Sequence, residues 1–324
     1  MSSKINWAIL GTGKIARKFA TDLKVVPNTV MYAVGSRTKE SAERFSKEFN
    51  FENSYGSYEA LINDENIDAI YIASPHAYHF EHTKMCLEKG IAVLCEKPFA
   101  MNSNQVQEMI ALAREKDVLL MEALWTHFLP HYQFVMDFTQ KKTFGKIKSM
   151  KADFGFFREF SNDDRVFNKS LGGGSLLDIG IYPIFAALTL LGLPDGIKAS
   201  ATFFDNGADA TCSMEFSYAN NVKAFLESSL IEETPTEAII EYEKGTVHIL
   251  RKFHEPSKVK LIDANGTVEI KDFNYTTIGY NYETAHFTEL LLNGAKESPL
   301  MNFDKSLKII GLLDKVRELI GLEY

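Results

Sequence analysis

The residues whose types and placement most suggest chemistry are Glu96, Lys97 and Pro98, which directly follow the apolar run 92–95. The ordinary explanation is structural, because strands often stop at charge and proline. The alternative is that the strand delivers the Lys97 ammonium into a cleft. Pro98 restricts the residue before it to extended conformations, which would help to aim that ammonium. We therefore expect Lys97 to be catalytic and to stabilise a negative substrate oxygen.

A second group lies in residues 172–183, which read Gly-Gly-Gly-Ser-Leu-Leu-Asp-Ile-Gly-Ile-Tyr-Pro. Asp178 and Tyr182 are four residues apart and would share one face of a helix. Ser175 and Asp178 could instead form a capping box, and Tyr182 could be a core aromatic residue. Two features favour function: three glycines are costly unless the backbone passes close to another group, and Pro183 interrupts an apolar helix.

The expected chemistry of this second group is proton transfer. A phenol titrates at about 10, so Tyr182 needs a nearby cation to work at neutral pH, and Lys97 is the candidate. Tyr182 would then exchange a proton with a substrate hydroxyl, while Asp178 would orient the substrate.

Nucleotide binding is indicated near the N-terminus, where a strand over residues 5–10 runs into Gly-Thr-Gly-Lys-Ile-Ala. A G-x-G-x-x-A sequence after a strand and before a helix is the dinucleotide fingerprint. Gly11 permits the tight turn, Gly13 lets the backbone approach a pyrophosphate, and Ala16 permits close helix packing. A purely structural turn could also use glycines. The residues that we expect to contact the cofactor here are Gly11, Thr12, Gly13, Lys14 and Ile15.

The end of the second predicted strand indicates which dinucleotide is bound. Ser36 and Arg37 stand where a residue that binds the ribose 2′-hydroxyl would be Asp or Glu. A hydroxyl and a guanidinium would bind a 2′-phosphate, so NADP is expected and NAD is less favoured. Arg37 could also be a solvated surface residue.

Further cofactor candidates follow two strands of the same predicted sheet, whose carboxyl ends should face one crevice. They are Ser74, Pro75, His76 and His79 after residues 69–72, and Glu96 and Lys97 after residues 92–95. The two histidines could equally be turn residues without chemistry. No third ligand of suitable spacing accompanies them, so no metal is expected.

The elements that position these residues fall into two halves. Up to about residue 125, apolar strands alternate with helices, which indicates a doubly wound parallel sheet. In the second half, residues 210–218 alternate apolar with polar side chains, and turn signals recur, which indicates an antiparallel meander. We expect an α/β fold with a Rossmann domain over 1–124 and an α+β domain over 125–324.

The predicted boundaries are as follows. The strands of the first half are 5–10, 29–34, 69–72, 92–95 and 118–121, and its helices are 14–25, 39–50, 77–89 and 102–116. The helices of the second half are 128–142, 179–191, 281–293 and 304–320, and its turns lie at 205–207, 220–221, 243–245 and 265–266.

Composition limits the classes of partner and the location. The chain has 324 residues, a formal net charge of −8 and no block of like charges, which argues against nucleic acid or an anionic membrane as partner. Its longest apolar stretch, 179–193, is too short to span a bilayer, and its first residues do not resemble a signal peptide. Three scattered cysteines fit no disulfide or metal pattern, so the cytoplasm is expected.

The glycine fingerprint, Glu96-Lys97-Pro98 and the segment 172–182 together resemble the Gfo/Idh/MocA oxidoreductase family over nearly the whole chain. The branch of dimeric dihydrodiol dehydrogenases and NADP-dependent D-xylose dehydrogenases is the most similar. The residues that carry this similarity are Arg37, His76, His79, the segment Glu122-Ala-Leu-Trp125-Thr, and Tyr182, where cyclitol dehydrogenases usually have histidine.

The resemblance implies NADP-linked hydride transfer at a hydroxyl-bearing carbon of a sugar, polyol or vicinal diol. It also implies an essential Lys97 and a homodimer formed through an open, largely antiparallel sheet in the second domain. The residues expected to line the substrate pocket are His79, Trp125, Phe154, Arg158 and Asp178.

Two other functions stay open. One is a catalytically silent NADP-binding sensor of the same fold, which would not need Lys97, Asp178 and Tyr182 together. The other is an enzyme that cycles a tightly held cofactor without releasing it.

Overall fold

The structure, a computed structural model, describes residues 4–324. The chain forms two compact units, each with its own sheet. One unit comprises the chain up to Trp125 together with Thr276–Leu307, and the other comprises Thr126–Tyr275 and Lys308–Tyr324.

The first unit contains six parallel strands and the helices that connect them. The strands are β1 (Ile5–Leu10), β2 (Thr29–Gly35), β3 (Asn53–Tyr55), β4 (Ala69–Ile72), β5 (Ala92–Glu96) and β6 (Leu120–Ala123). The helices are α1 (Lys14–Leu23), α2 (Lys39–Phe49), α3 (Tyr58–Ile62), α4 (His79–Glu88), α5 (Ser103–Lys116) and, later in the chain, α8 (Tyr280–Leu292). The spatial order is β3-β2-β1-β4-β5-β6. The predicted doubly wound parallel sheet is confirmed.

The strand order of this sheet reverses between β1 and β4, and open sheets of this kind bind ligands beyond the carboxyl ends of the strands at that point. The strands are apolar because both faces are covered: every residue of β4 and of β5 is buried. Of the strands in this sheet, only the short β3 was not predicted, because Asn-Ser-Tyr has no apolar run and is only partly buried; the five-residue helix α3 was not predicted either.

The first unit also contains a segment from far along the chain, residues 276–307. The alternation of strands and helices in the sequence had placed this segment in the second domain. The buried carboxylate of Asp22 in α1 accepts hydrogen bonds from the backbone N–H groups of Gly279 (2.7 Å) and Tyr280 (2.8 Å) at the start of α8. The Trp7 indole in β1 donates to the Thr288 hydroxyl in α8 at 3.1 Å. These long-range contacts, which the sequence pattern does not display, attach residues 276–307 to the parallel sheet.

The second unit contains eight strands and three helices. The strands are β7 (Ile147–Gly155), β8 (Gly196–Phe203), β9 (Asp209–Ser217), β10 (Lys223–Ser229), β11 (Ala238–Tyr242), β12 (Gly245–Ile249), β13 (Val259–Asp263) and β14 (Val268–Lys271). The helices are α6 (Pro130–Gln140), α7 (Ile181–Leu191) and α9 (Phe303–Ile320), within which the division between the units falls. The order is β14-β13-β12-β11-β7-β10-β9-β8, and only the β7–β10 pair is parallel.

This sheet confirms the predicted antiparallel architecture. Each of the four predicted turns joins two neighbouring antiparallel strands. In β9, Ala210, Cys212, Met214 and Phe216 are buried, while the residues between them face outward and are more exposed. The sheet therefore buries one face and leaves the other open.

Among the described residues, Lys169–Leu191 is the one helical run that is long and apolar enough to cross a membrane. Of its apolar window, 89% is buried inside the protein, as in the core helix of a globular fold.

Candidate active site

The glycine loop of the first unit has the geometry of a dinucleotide site. Gly11 has a φ of 108°, and a Cβ there would lie 3.0 Å from the carbonyl oxygen of Ala73 at the β4 exit. A Cβ on the exposed Gly13 would meet nothing within 4 Å, so the backbone there is open to a ligand. Gly13 precedes α1, and no side chain among residues 4–324 caps the start of that helix, so its first N–H groups can bind an anion. These residues fit a pyrophosphate.

The loop after β2 carries the two residues expected to select NADP. Ser36 is buried, with its hydroxyl 3.3 Å from that of Thr12 in the glycine loop. Arg37 is exposed, and its guanidinium lies close enough to Tyr58 to oppose the rise that burial causes in the pKa of that phenol. Tyr58 was not singled out in the sequence, since nothing in its neighbourhood carries a motif.

His79 joins the loops that follow β4 and β5. It is fully buried, with Nδ1 2.7 Å from the Pro98 carbonyl and Nε2 2.9 Å from the Ser74 carbonyl. Burial, with His76 beside it, lowers the pKa of His79 to about 3. The neutral imidazole carries one N–H, so it donates a hydrogen bond to one of these two carbonyls, and His79 lies between the loops that follow β4 and β5. The sequence expected it to contact cofactor or substrate.

The neighbours of His79 surround the same loop. His76 is buried in the 3-10 helix His76–Tyr78 that precedes α4. His82, which the sequence did not single out, accepts or donates through Nδ1 at 2.9 Å from the Ser74 hydroxyl. Burial lowers the pKa of His82 to about 4.

Glu96 and Lys97 occupy the end of β5. The two carboxylate oxygens of Glu96 accept hydrogen bonds from the Tyr71 hydroxyl and, at 3.1 Å, from the backbone N–H of Lys97. Glu96 is buried and Lys97 is half-buried, and the Lys97–Pro98 peptide bond is cis. Glu96 thus fixes the backbone from which the Lys97 side chain extends.

Trp125 is the last residue of the first unit's N-terminal segment. Its ring stacks on Tyr280 of α8, with centroids 4.3 Å apart, and it is almost fully buried. Helix α8 therefore packs directly on Trp125, which was predicted to line the substrate pocket.

In the second unit, two of the three glycines, Gly173 and Gly174, are required by the close packing of the chain on itself. A Cβ on Gly173 would lie 2.7 Å from the backbone nitrogen of Asn168, and one on Gly174 would lie 2.0 Å from Asp209 Oδ1. The Ser175 hydroxyl donates to Asp209 (2.7 Å), as does the Leu176 N–H (2.6 Å). Asp209 therefore binds the start of this helical run, and Ser175 does not form a capping box with Asp178.

Tyr182 lies in the first turn of α7, directly after the π-helix Leu176–Gly180. Its centroid is 5.7 Å from that of Phe154 and 4.8 Å from that of His254, and the last two rings stack at 4.1 Å. Phe154 was predicted, whereas His254 was missed, because it comes from a loop between β12 and β13 that carries no motif. The phenol is thus flanked by a titratable ring.

Asp178 is held by a residue that the sequence did not single out. Arg165 Nη2 lies 3.4 Å from Asp178 Oδ1. Arg158, the predicted pocket residue, pairs instead with Asp164. Asp178 is buried, so this cation helps to keep a carboxylate in a place where it would otherwise be costly.

Within the described residues, no three or more His, Cys, Asp or Glu side chains are arranged to hold a metal ion. The candidate groups are an ammonium, on Lys97, at the edge of the parallel sheet in one unit, and a phenol and a carboxylate, on Tyr182 and Asp178, in the other.

Comparisons with known proteins agree with both halves of this picture. The family model described as "Oxidoreductase family, NAD-binding Rossmann fold" matches residues 5–124, and the GFO/IDH/MocA C-terminal domain matches residues 132–248. The trans-1,2-dihydrobenzene-1,2-diol dehydrogenase of Xenopus laevis is 36% identical over 328 residues, and that of Homo sapiens is 30% identical over 329. These matches cover 98% and 99% of this chain, respectively, and 98% of each relative.

Solved structures show the same fold along the chain. A 3-ketoreductase from Actinomadura kijaniata, crystallised with NADP and TDP-benzene, is 27% identical with a TM-score of 0.88 and covers 98% of each chain. An aldose-aldose oxidoreductase from Caulobacter crescentus, at 22% identity and a TM-score of 0.88 over 98% and 97% of the two chains, is similar in fold. The protein described here belongs to the GFO/IDH/MocA family of oxidoreductases.

Proposed function

We propose that this protein is an NADP-dependent dehydrogenase or reductase that acts on a hydroxyl-bearing carbon of a sugar, polyol or vicinal diol. The observation that carries the proposal is the placement of Lys97. Its backbone is fixed by Glu96 at the carboxyl end of β5, in the sheet whose glycine loop leaves Gly13 open to a pyrophosphate. The relatives named as diol dehydrogenases cover nearly the whole chain and support this reaction class.

NADP is the proposed cofactor on two grounds. Ser36 and Arg37 offer a hydroxyl and a guanidinium where a carboxylate would repel a 2′-phosphate. The 3-ketoreductase that shares the fold was crystallised with NADP.

The proposed roles of this chain's residues follow from their chemistry. NADP, when bound, supplies the acceptor or donor of the hydride. Lys97 stabilises negative charge on the substrate oxygen, and Tyr182 takes the hydroxyl proton in oxidation and returns it in reduction. Asp178, held by Arg165, accepts a second substrate hydroxyl and orients the sugar or diol.

A homodimer through the open face of the second unit's sheet is part of the proposal. That face carries the half-exposed Phe225 on β10 beside a shallow cavity of about 360 Å³. The cavity is lined by Lys198 and by Glu215 and Glu227, so it presents both signs of charge. A second copy related by a two-fold axis could match such a self-complementary surface. We also propose the cytoplasm as the location, in keeping with three free, buried thiols.

The test is reduction of NADP⁺, followed by absorbance, with a panel of aldoses, polyols and vicinal diols. Lys97→Met should lower kcat by about a thousandfold or more, since it removes the charge that stabilises the transition state, while NADPH affinity stays within a few-fold. Lys89→Met, an exposed lysine at the end of α4, is the matched control and should behave as the wild type.

Near-normal turnover by Lys97→Met would remove the lysine from the mechanism. No turnover on any substrate, together with tight NADPH binding, would argue against the enzyme and for the silent sensor.

A further inference from the structure

Three buried glutamates surround the end of β5 in the first unit: Glu96, Glu122 and Glu283. Two of them have donors. Glu96 accepts from the Tyr71 hydroxyl and the Lys97 N–H, and Glu122 accepts from the Phe99 N–H at 3.1 Å. Glu283, in α8, is 0% exposed, and neither of its carboxyl oxygens has a hydrogen-bond partner among residues 4–324.

The surroundings of Glu283 oppose a negative charge on it. A carboxylate without donors or solvent is among the costliest groups to bury. The titratable groups that interact with it are acids: Glu96 from β5 and Tyr71 from β4, and Tyr71 in turn interacts with Tyr280 of α8. On the neighbouring α1, the Asp22 carboxylate accepts hydrogen bonds from the first N–H groups of α8. Burial first, and Glu96 second, raise the pKa of Glu283 well above its ordinary value.

The surroundings of Glu96, by contrast, favour a negative charge. Glu96 receives two donors, one on each oxygen, and this arrangement suits an ionised carboxylate. If Glu283 also lost its proton, two negative charges would repel each other in a buried place, which disfavours ionisation of both carboxyls. Glu96 would then have to move or take up a proton, and its hold on the Lys97 backbone would weaken.

We propose that Glu283 is a positioning residue that retains its proton, so that Glu96 is the only ionised carboxylate of the pair and keeps Lys97 in place. The neutral acid fills the space behind Glu96 without adding charge. The inference rests on the proposed role of Lys97, and it concerns the first unit alone.

The protonation of Glu283 can be measured without any substrate. Trp7 and Trp125 are the two tryptophans of the chain, and both lie in the first unit, so their fluorescence reports its unfolding in urea. Wild type, Glu283→Gln and Glu289→Gln would be compared from about pH 5 to about pH 9. Glu289 is an exposed glutamate of the same helix and provides the matched control.

The expected result has a definite sign. A folded-state pKa above the unfolded value means that native wild type holds a proton that the unfolded chain releases above about pH 4.5. Its ratio of native to unfolded protein therefore falls, relative to Glu283→Gln, by up to tenfold per pH unit until the folded pKa is passed. Glu289→Gln should follow the wild type. A difference between Glu283→Gln and wild type that does not change with pH would overturn the assignment of the proton.

The positioning role is tested by kinetics on the full-length enzyme. Glu283→Ala should lower kcat by about tenfold, with NADPH affinity unchanged, because a small displacement of a catalytic group is enough for such a loss. Glu283→Gln, neutral and of the same shape, should rescue kcat and should keep its activity to higher pH than wild type or Glu289→Gln.

Superimposable profiles of kcat against pH for wild type and Glu283→Gln would overturn the positioning role. If the wild type shows no turnover at all, the proposed function has failed, and the urea series still decides whether Glu283 carries a proton.

Discussion

At the scale of single residues, the structure separates the side chains that can meet a ligand from those that hold others. Lys97 is half-buried with its backbone fixed, and Tyr182 is flanked by Phe154 and His254. His79, by contrast, has a backbone carbonyl facing each ring nitrogen and donates its single N–H to one of them. Residue type marks all of these as candidates, but only their partners distinguish a reacting group from a supporting one.

The cofactor preference is a prediction at this scale. Arg37→Ala should raise the KM for NADP⁺ by about tenfold to a hundredfold and leave that for NAD⁺ unchanged, because a charge-assisted contact to the 2′-phosphate is lost. Steady-state kinetics with both cofactors provides the measurement. Arg44→Ala, an exposed arginine of α2, should change neither constant. Equal losses with NADP⁺ and NAD⁺ would show that Arg37 does not select the phosphate.

At the scale of elements, Tyr182 depends on how α7 begins. The chain approaches through Gly173 and Gly174, whose missing side chains let the backbone pass Asn168 and Asp209. Asp209, from β9, then binds the first turn of the helical run. Pro183 lies just after the π-helix Leu176–Gly180, where the hydrogen-bond pattern changes to that of α7 and the regular i→i−4 pattern is interrupted.

The close packing around Gly174 yields a prediction for stability. Gly174→Ala should lower the free energy of unfolding by about 3 kcal/mol, because alanine is strained at a φ of 128° and its Cβ meets Asp209. Gly311→Ala, in α9, where a Cβ meets nothing within 4 Å, should be neutral or should stabilise by up to about 1 kcal/mol. Circular dichroism in urea measures both. Equal effects would contradict the packing argument.

At the scale of the whole molecule, the dimer that we propose would form through the open face of the second unit's sheet. Phe225 is 41% exposed on β10 and lies between Lys151 of β7 and Glu215 of β9 in the sheet register. A large apolar side chain bordered by both signs of charge is typical of an interface between copies.

The dimer gives a prediction at this scale. Phe225→Glu should convert a dimer into a monomer at micromolar concentration, because the new charge would be buried without a partner. Phe157→Glu, at a residue that is 67% exposed and lies outside the strands, is the control and should leave the mass unchanged. Light scattering after gel filtration measures the mass. A wild type that is already monomeric would remove the dimer from the proposal.

The sequence by itself determined the two sheets, the glycine loop and the family, because these depend on local periodicity and on short motifs. The strands Ile5–Leu10 and Ala69–Ile72 agree residue for residue with the prediction, since buried parallel strands are apolar throughout. Glu96-Lys97-Pro98 was likewise recognised from three adjacent residues.

Only the tertiary structure decided which side chains support the candidates. Asp209, His254 and Glu283 come from segments far along the chain from the groups they contact or influence, Arg165 lies 13 residues before Asp178, and no motif marks any of them. The same holds for residues 276–307, which return to the first sheet through Asp22 and Trp7. The physical reason is that burial and pairing are set by contacts between distant segments, whereas periodicity records only what lies within a few residues along the chain.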